Sequence, residues 1–289
     1  MAVDRRALLK GLTAAATAAV AAPAAASTAR RPQAPPDAVG MLYDATLCIG
    51  CKTCVVACRK ANNLEYEAHS TLWDDPVDLS GRTKNIIKLY REGSQVSYMK
   101  QQCMHCLDPG CVGACMMGSF AKREHGIVTW KGDRCIGCRY CAVACPYNIP
   151  KFEWDKAFPL VVKCELCSHR IAQGGIPACC EVCPRHAVIY GTYPELLAEA
   201  KRRLAEQPDH YYPKVFGESD GGGTQVLYLT ARDVPFEKLG LPTLDEEPVP
   251  HLVRTVQHGI YKGFIAPVVL YVALGAVMLR NRKKGGGHE

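Results

Sequence analysis

Apolar positions along the chain mark out few regular elements, and most of them are short. The clearest periodicity runs over 194–206. Leu196, Leu197, Ala200 and Leu204 share one helical face, and Glu199, Lys201, Arg202, Arg203 and Glu206 fill the solvated opposite face. Pro194 suits the first turn, where no N–H is needed. Short β-rich runs at 126–130 and 187–191 read as strands. Gly221, Gly222 and Gly223 lead into a third strand over 224–230. Neither G-x-x-x-x-G-K-[ST] nor G-x-G-x-x-G is present, so these glycines read as a turn and not as a phosphate loop. Residues 27–40, rich in Ala, Pro and Arg, read as a linker, and the proline-interrupted 233–262 reads as an extended connector.

Two apolar runs show no alternation. The first, over 11–22, is rich in Ala and follows Asp4-Arg5-Arg6-Ala7-Leu8-Leu9-Lys10. It reads as a twin-arginine export signal over 1–26, with small residues at 24–27 for cleavage. It is too short to span a bilayer. The second, over 263–279, is 17 residues without a charge, at the lower limit for one transmembrane helix. Arg280, Arg282, Lys283 and Lys284 follow at once, which places the 280–289 tail on the cytoplasmic side by the positive-inside rule.

Composition changes the picture at one point. With 48% hydrophobic and 22% charged residues the chain can bury a core, which excludes a disordered polyelectrolyte. The net charge of +7 falls to +5 without 1–26, leaving 32 basic and 27 acidic residues. No basic stripe is interleaved with aromatics, so nucleic-acid binding is not indicated. Cysteine is the outlier, at 17 of 289.

Sixteen cysteines fall into four packets. Cys48, Cys51, Cys54 and Cys58 read C-x2-C-x2-C-x3-C. Cys103, Cys106, Cys111 and Cys115 read C-x2-C-x4-C-x3-C. Cys135, Cys138, Cys141 and Cys145 repeat the first pattern, and Cys164, Cys167, Cys179 and Cys183 read C-x2-C-x11-C-x3-C. The first and third packets match the ferredoxin run for [4Fe–4S] clusters. A cubane needs three thiolates converging from one short loop, with a fourth supplied from further along the chain. Structural zinc would use isolated C-x2-C pairs, and cysteines two and three apart are awkward disulfide partners. Cys180 is left over and reads as a buried spare thiol. Met116 stands where proline follows the fourth cysteine of the third and fourth packets, which would loosen that turn. His105, His169 and His186 read as structural or surface residues, since the thiol sets are already complete. No nucleophile–base set or paired carboxylates is present, so no catalytic residue is assigned.

The arrangement resembles the four-cluster ferredoxin-like subunits of membrane-bound oxidoreductases. Cys145-Pro146-Tyr147-Asn148, Lys163-Cys164-Glu165-Leu166-Cys167, Tyr190-Gly191-Thr192 and the run from Gly221 to Leu227 narrow the likeness. So does Tyr261-Lys262-Gly263 with its apolar run. Together they resemble the hydrogenase 2 ferredoxin-like iron–sulfur subunits, the HybA family. The resemblance implies an α+β fold of two ferredoxin-like dicluster units with cysteine-rich loops over 41–232, plus a single C-terminal transmembrane helix. It implies four [4Fe–4S] clusters with crossed ligation. One set would be Cys48, Cys51, Cys54 and Cys183, and a second Cys164, Cys167, Cys179 and Cys58. The remaining sets would be Cys103, Cys106, Cys111 and Cys145, then Cys135, Cys138, Cys141 and Cys115. Its implied partners are hydrogenase small and large subunits and an integral membrane subunit that reduces quinone, at the periplasmic face of a bacterial inner membrane. The alternatives are the same wire role beside a formate dehydrogenase or a molybdenum oxyanion or sulfur reductase and, remotely, a metal-loaded assembly or storage protein.

Overall fold

Three antiparallel hairpins separate the four cysteine packets, and a three-stranded sheet ties the two ends of this region together. The computed structural model describes residues 32–65 and 78–285. The signal expected over 1–26 and the last four residues of the basic tail lie outside the described residues.

Strand β1 (Val39–Asp44) is buried at all six positions because it is the middle strand of its sheet. It pairs antiparallel with β8 (Val188–Thr192), with Val39 opposite Thr192, and parallel with β9 (Val226–Leu229), with Met41 opposite Val226. Gly40 is required there: a Cβ would lie 2.0 Å from the Gln225 carbonyl oxygen. Between β1 and β8 lie the hairpins β2–β3 (Asn85–Glu92, Gln95–Gln102), β4–β5 (Phe120–Lys122, Val128–Trp130) and β6–β7 (Lys151–Phe152, Val161–Val162).

The helices among the packets are α1 (Thr53–Ala61), α2 (Gly110–Gly113), α3 (Tyr140–Val143), α4 (Ser168–Ile171) and α5 (Ala178–Glu181). Four of these five are a single turn, too short to be stable from their own hydrogen bonds. Helix α6 (Tyr193–Glu206) is different. It opens with a capping box between Thr192 and Glu195, carries Pro194 in its first turn, and buries Leu196 and Ala200. These pack with Leu42, Tyr211, Val215, Leu227 and Leu229 against the three-stranded sheet. Asp44, fully buried, fastens this region. Its Oδ2 accepts from Arg203 at 2.9 Å and from the Tyr211 hydroxyl at 2.8 Å, and its Oδ1 from the Thr46 hydroxyl at 2.6 Å.

Two expected boundaries move. Residues 27–40 are not linker to their end, because Ala38 is buried and β1 begins at Val39. Residues 233–262 are not an extended connector. Val234, Phe236, Leu239 and Leu241 are buried in the main core, since the prolines set turns there and do not hold the chain in water. From Val249 the chain is helical.

That helix, α7 (Val249–Gly285), is described by itself, since the compact unit ends at Pro250. Its stretch Gly263–Arg280, 18 residues of mean hydropathy 1.9, is long and apolar enough to cross a membrane by length and composition. Pro267 lies inside the helix, where it removes one backbone hydrogen bond.

Candidate iron–sulfur centres

The four packets share one backbone turn. The residue just before the second cysteine is left-handed in each: Gly50 (φ 70°), His105 (φ 48°), Gly137 (φ 71°) and Leu166 (φ 53°). This conformation turns successive N–H groups toward one concave side, a form suited to anions. The Leu166 N–H points at the Cys164 Sγ, 3.4 Å away. Glycine adopts the turn freely; His105 and Leu166 hold it at a cost of about 1–2 kcal/mol each, and both are fully buried. A second left-handed residue, Lys52, Arg139 or Cys167, precedes the helix in the first, third and fourth packets.

The turn after the fourth cysteine also recurs. The N–H groups of Gly118, Asn148 and His186 donate to the carbonyls of Cys115, Cys145 and Cys183 at 3.1, 3.1 and 3.2 Å, and all three residues have positive φ. Met116, exposed, therefore does not loosen its turn. In the first packet Cys58 instead lies inside α1.

The fold brings cysteines from different packets together. Cys48, Cys51 and Cys54 line one cavity with Cys183, under Tyr43, Ile87 and Lys100. Cys135, Cys138 and Cys141 line another with Cys115, closed by Phe120, Phe152 and Arg139. The Arg139 guanidinium stacks on Trp154, 4.0 Å from the ring centre. Helix α1 packs on α5, which sets Cys58 beside Cys179 and Cys167, and Cys164 adjoins the same three. Helix α2 packs on α3, and Cys103, Cys106 and Cys111 adjoin Cys145. These four groups follow one another in a row. Cys54 of the first neighbours Cys179 of the second. Cys164 of the second neighbours Cys103 of the third, and Cys111 of the third neighbours Cys141 of the fourth.

Exposure grades along the row. Cys51 in the first group and Cys138 in the last are exposed, whereas Cys58, Cys164, Cys167 and Cys179 are all buried. Burial pushes the thiols of Cys54, Cys58 and Cys111 up to about 12 and that of Cys141 to about 11. Cys115 goes the other way: the N–H groups of Phe120, Ser119 and Met117 outweigh the effect of burial and lower it. Cys180, buried, hydrogen-bonds to Cys179, lowering Cys179 and raising itself. The spare thiol thus supports a cysteine of the second group.

Among the described residues, no three Cys, His, Asp or Glu side chains converge on a position for a single metal ion. Two of the four-cysteine groups line cavities, and two buried polar atoms beside the groups lack partners in the protein. The His105 ring accepts from the Val128 N–H at Nδ1 (3.1 Å), so its proton sits on Nε2, which has no acceptor among the described residues. The Tyr147 hydroxyl, next to Cys106 and Cys145, likewise has none. Thiols in fours, N–H groups turned inward and donors without acceptors fit a sulfide-bearing cluster. His169 is exposed and His186 serves the turn described above.

Sequence reasoning missed the buried polar residues around these groups: Lys100, Gln102 and Lys163. The one signal was the pairing of Lys163 with Cys164 in sequence. Lys100 and Gln102, in an unremarked strand, gave none.

The 4Fe-4S dicluster domain model matches residues 94–193. The chain is 41% identical over 295 residues to the "Hydrogenase-2 operon protein HybA" of Escherichia coli O157:H7, covering 88% of this chain and 89% of that one. It is 37% identical to the iron-sulfur subunit of the nitrate-inducible formate dehydrogenase of Escherichia coli K12, over 71% of this chain and 72% of that one. To the formate dehydrogenase-O iron-sulfur subunit of the same organism it is 33% identical, over 83% and 84%.

Proposed function

This chain belongs to the HybA family of iron–sulfur proteins, and from that premise we propose that it is a four-cluster electron wire between a periplasm-facing hydrogenase and a quinone-reducing membrane subunit. The row of four cysteine groups carries the reading. Each group has four thiols and would hold one [4Fe–4S] cluster, a one-electron carrier. The sets are Cys48, Cys51, Cys54, Cys183; Cys58, Cys164, Cys167, Cys179; Cys103, Cys106, Cys111, Cys145; and Cys115, Cys135, Cys138, Cys141.

On this reading the body is two nested ferredoxin-like units. The first and fourth packets form the outer one, and the second and third form the inner one. Cys51 and Cys138, at opposite ends of the row, bring the terminal carriers to the surface, where partners can reach them. The four buried thiols of the second group keep water from that part of the wire. The Tyr147 hydroxyl, the His105 Nε2 and the inward N–H groups supply hydrogen bonds to sulfur, which stabilise the reduced state. Helix α7 would anchor the chain beside the membrane subunit, with its basic end cytoplasmic. The twin-arginine signal would export the body already folded.

The 37% and 33% identities to formate dehydrogenase iron-sulfur subunits favour a second reading, the same wire beside a molybdenum or tungsten enzyme. Gentle detergent extraction and capture through a C-terminal tag decides between them. A co-purifying nickel–iron subunit is the expected result; a molybdenum or tungsten subunit would assign the wire to another substrate. About sixteen irons per chain are expected, and eight or fewer would end the four-cluster reading.

A further inference from the structure

The interior contains two ammonium groups without a carboxylate. Lys100, on β3, is fully buried, and Lys163, just before Cys164, is 3% exposed. Among the described residues neither forms an ion pair, and their hydrogen bonds go to neutral acceptors. Lys100 Nζ donates to the Gln102 side-chain oxygen. Lys163 Nζ donates to the carbonyls of Val128 (2.5 Å) and Cys164 (2.8 Å). A buried charge without a partner is among the costliest groups a fold can carry, so two of them call for an anion.

Lys100 lies between the first and second groups, since it also lines the cavity of Cys48, Cys51, Cys54 and Cys183. Around Lys100 stand Cys58, Cys164 and Cys179 of the second group, with Cys54 of the first and the spare Cys180. Beside Lys163 stand Cys111 and Cys145 of the third group. The outer groups hold the exposed Cys51 and Cys138, where water can solvate added charge. All four cysteines of the second group are buried, and in the third Cys103 is buried while Cys106, Cys111 and Cys145 are half-buried.

Lys100 is held in place from both ends. Its carbonyl accepts from the Tyr228 hydroxyl at 2.6 Å, and its residue pairs with Ile87 across the β2–β3 hairpin. The Gln102 amide is oriented by its own Nε2–H, which donates to the Met41 sulfur at 3.1 Å, leaving the oxygen for Nζ.

We propose that Lys100 and Lys163 are internal counter-charges that raise the reduction potentials of the cysteine groups they adjoin, Lys100 at the second group and Lys163 at the third. The proposal rests on the four-cluster wire reading. In each transfer one centre gains a single electron as its neighbour loses one. The transfer itself moves no proton. Without the lysine charges, each added electron would meet an uncompensated anion in a low-dielectric interior, and the inner centres would become barriers between the outer two.

The test uses the intact membrane complex, purified without oxygen, with iron and sulfide assays and redox titration followed by electron paramagnetic resonance. Wild type is read first, and fewer than four centres there defeats the wire reading and not the lysine assignment. With four present, K100M is expected to keep its iron and shift one signal. At a fixed potential its reduced-to-oxidised ratio falls tenfold or more, equal to 59 mV for a one-electron couple. K163M shifts a different signal, while K100R and K163R titrate near wild type. Loaded methionine variants that titrate like wild type overturn the proposal. If the methionine variants lose iron, the arginine variants decide. Retained iron with arginine supports a required charge, and iron lost there too shows that lysine matters only for its shape.

Discussion

The region of the packets and the region of the three-stranded sheet are built by different means. Around the sheet, fourteen-residue α6 is capped, amphipathic and packed on an apolar face, and the buried Asp44–Arg203 pair fastens it. Among the packets, four of five helices span four residues and four of six hairpin strands span two or three. Such elements have almost no stability of their own. Regular structure is dense where burial of hydrocarbon supplies the energy and sparse where bound metal would supply it.

The largest test of that contrast is to remove iron. Chelation under mild oxidation is expected to abolish near-UV circular dichroism and cooperative melting of the whole chain, because the sheet region alone is too small to fold. A cooperative transition in the stripped protein would show that the packets hold together by packing. Next in size is Asp44→Asn, which takes from Arg203 its buried partner and leaves it paired with Glu199 at 2.8 Å. A loss of about 2 kcal/mol is expected from weakening a buried charged hydrogen bond, read as a lower melting temperature with iron content unchanged. Loss of iron in that variant would mean that the two regions are not separable.

Smaller is the effect of pH on iron capture. The buried thiols of Cys54 and Cys58, raised to about 12, hold their protons more tightly than a free thiol, and binding must displace them. Reconstitution at limiting iron is therefore expected to release protons and to grow more complete from pH 7 to 9. The group containing Cys115, whose thiol is lowered while that of Cys141 is raised to about 11, should gain less from the rise. Mössbauer spectra of partly filled protein would reveal a pH-independent order if burial were unimportant. Smallest is His186→Gly. His186 is exposed with φ 49°, so glycine relieves a left-handed residue and should stabilise by about 0.5–1 kcal/mol without loss of iron. Lost iron would make His186 more than a turn residue.

The same contrast explains what the sequence made legible. Helix 194–206 and the strands near 128, 188 and 226 were readable because burial imposes a period. The four packets were readable because their sixteen thiols keep the spacing that a cubane would impose. The β2–β3 hairpin was not, since its inward side carries Lys100 and Gln102, polar residues that break the apolar alternation. Nor did spacing show which packets meet, because the crossing is set by α1 against α5 and α2 against α3, contacts between distant parts of the chain. The left-handed turns were half visible: Gly50 and Gly137 announce them, whereas His105 and Leu166 hide the same turn behind side chains.

The register of β1 has a consequence for the timing of synthesis. Val39 pairs with Thr192, and Met41 with Val226, so the strand made first has no neighbour until nearly the last of the body has left the ribosome. Closing so long a loop is slow, and nothing closes it early. The nascent chain must therefore travel most of its length with its earliest cysteines reduced and open. On the four-cluster reading, metal insertion would follow synthesis of β9, with the thiols kept reduced until that strand arrives.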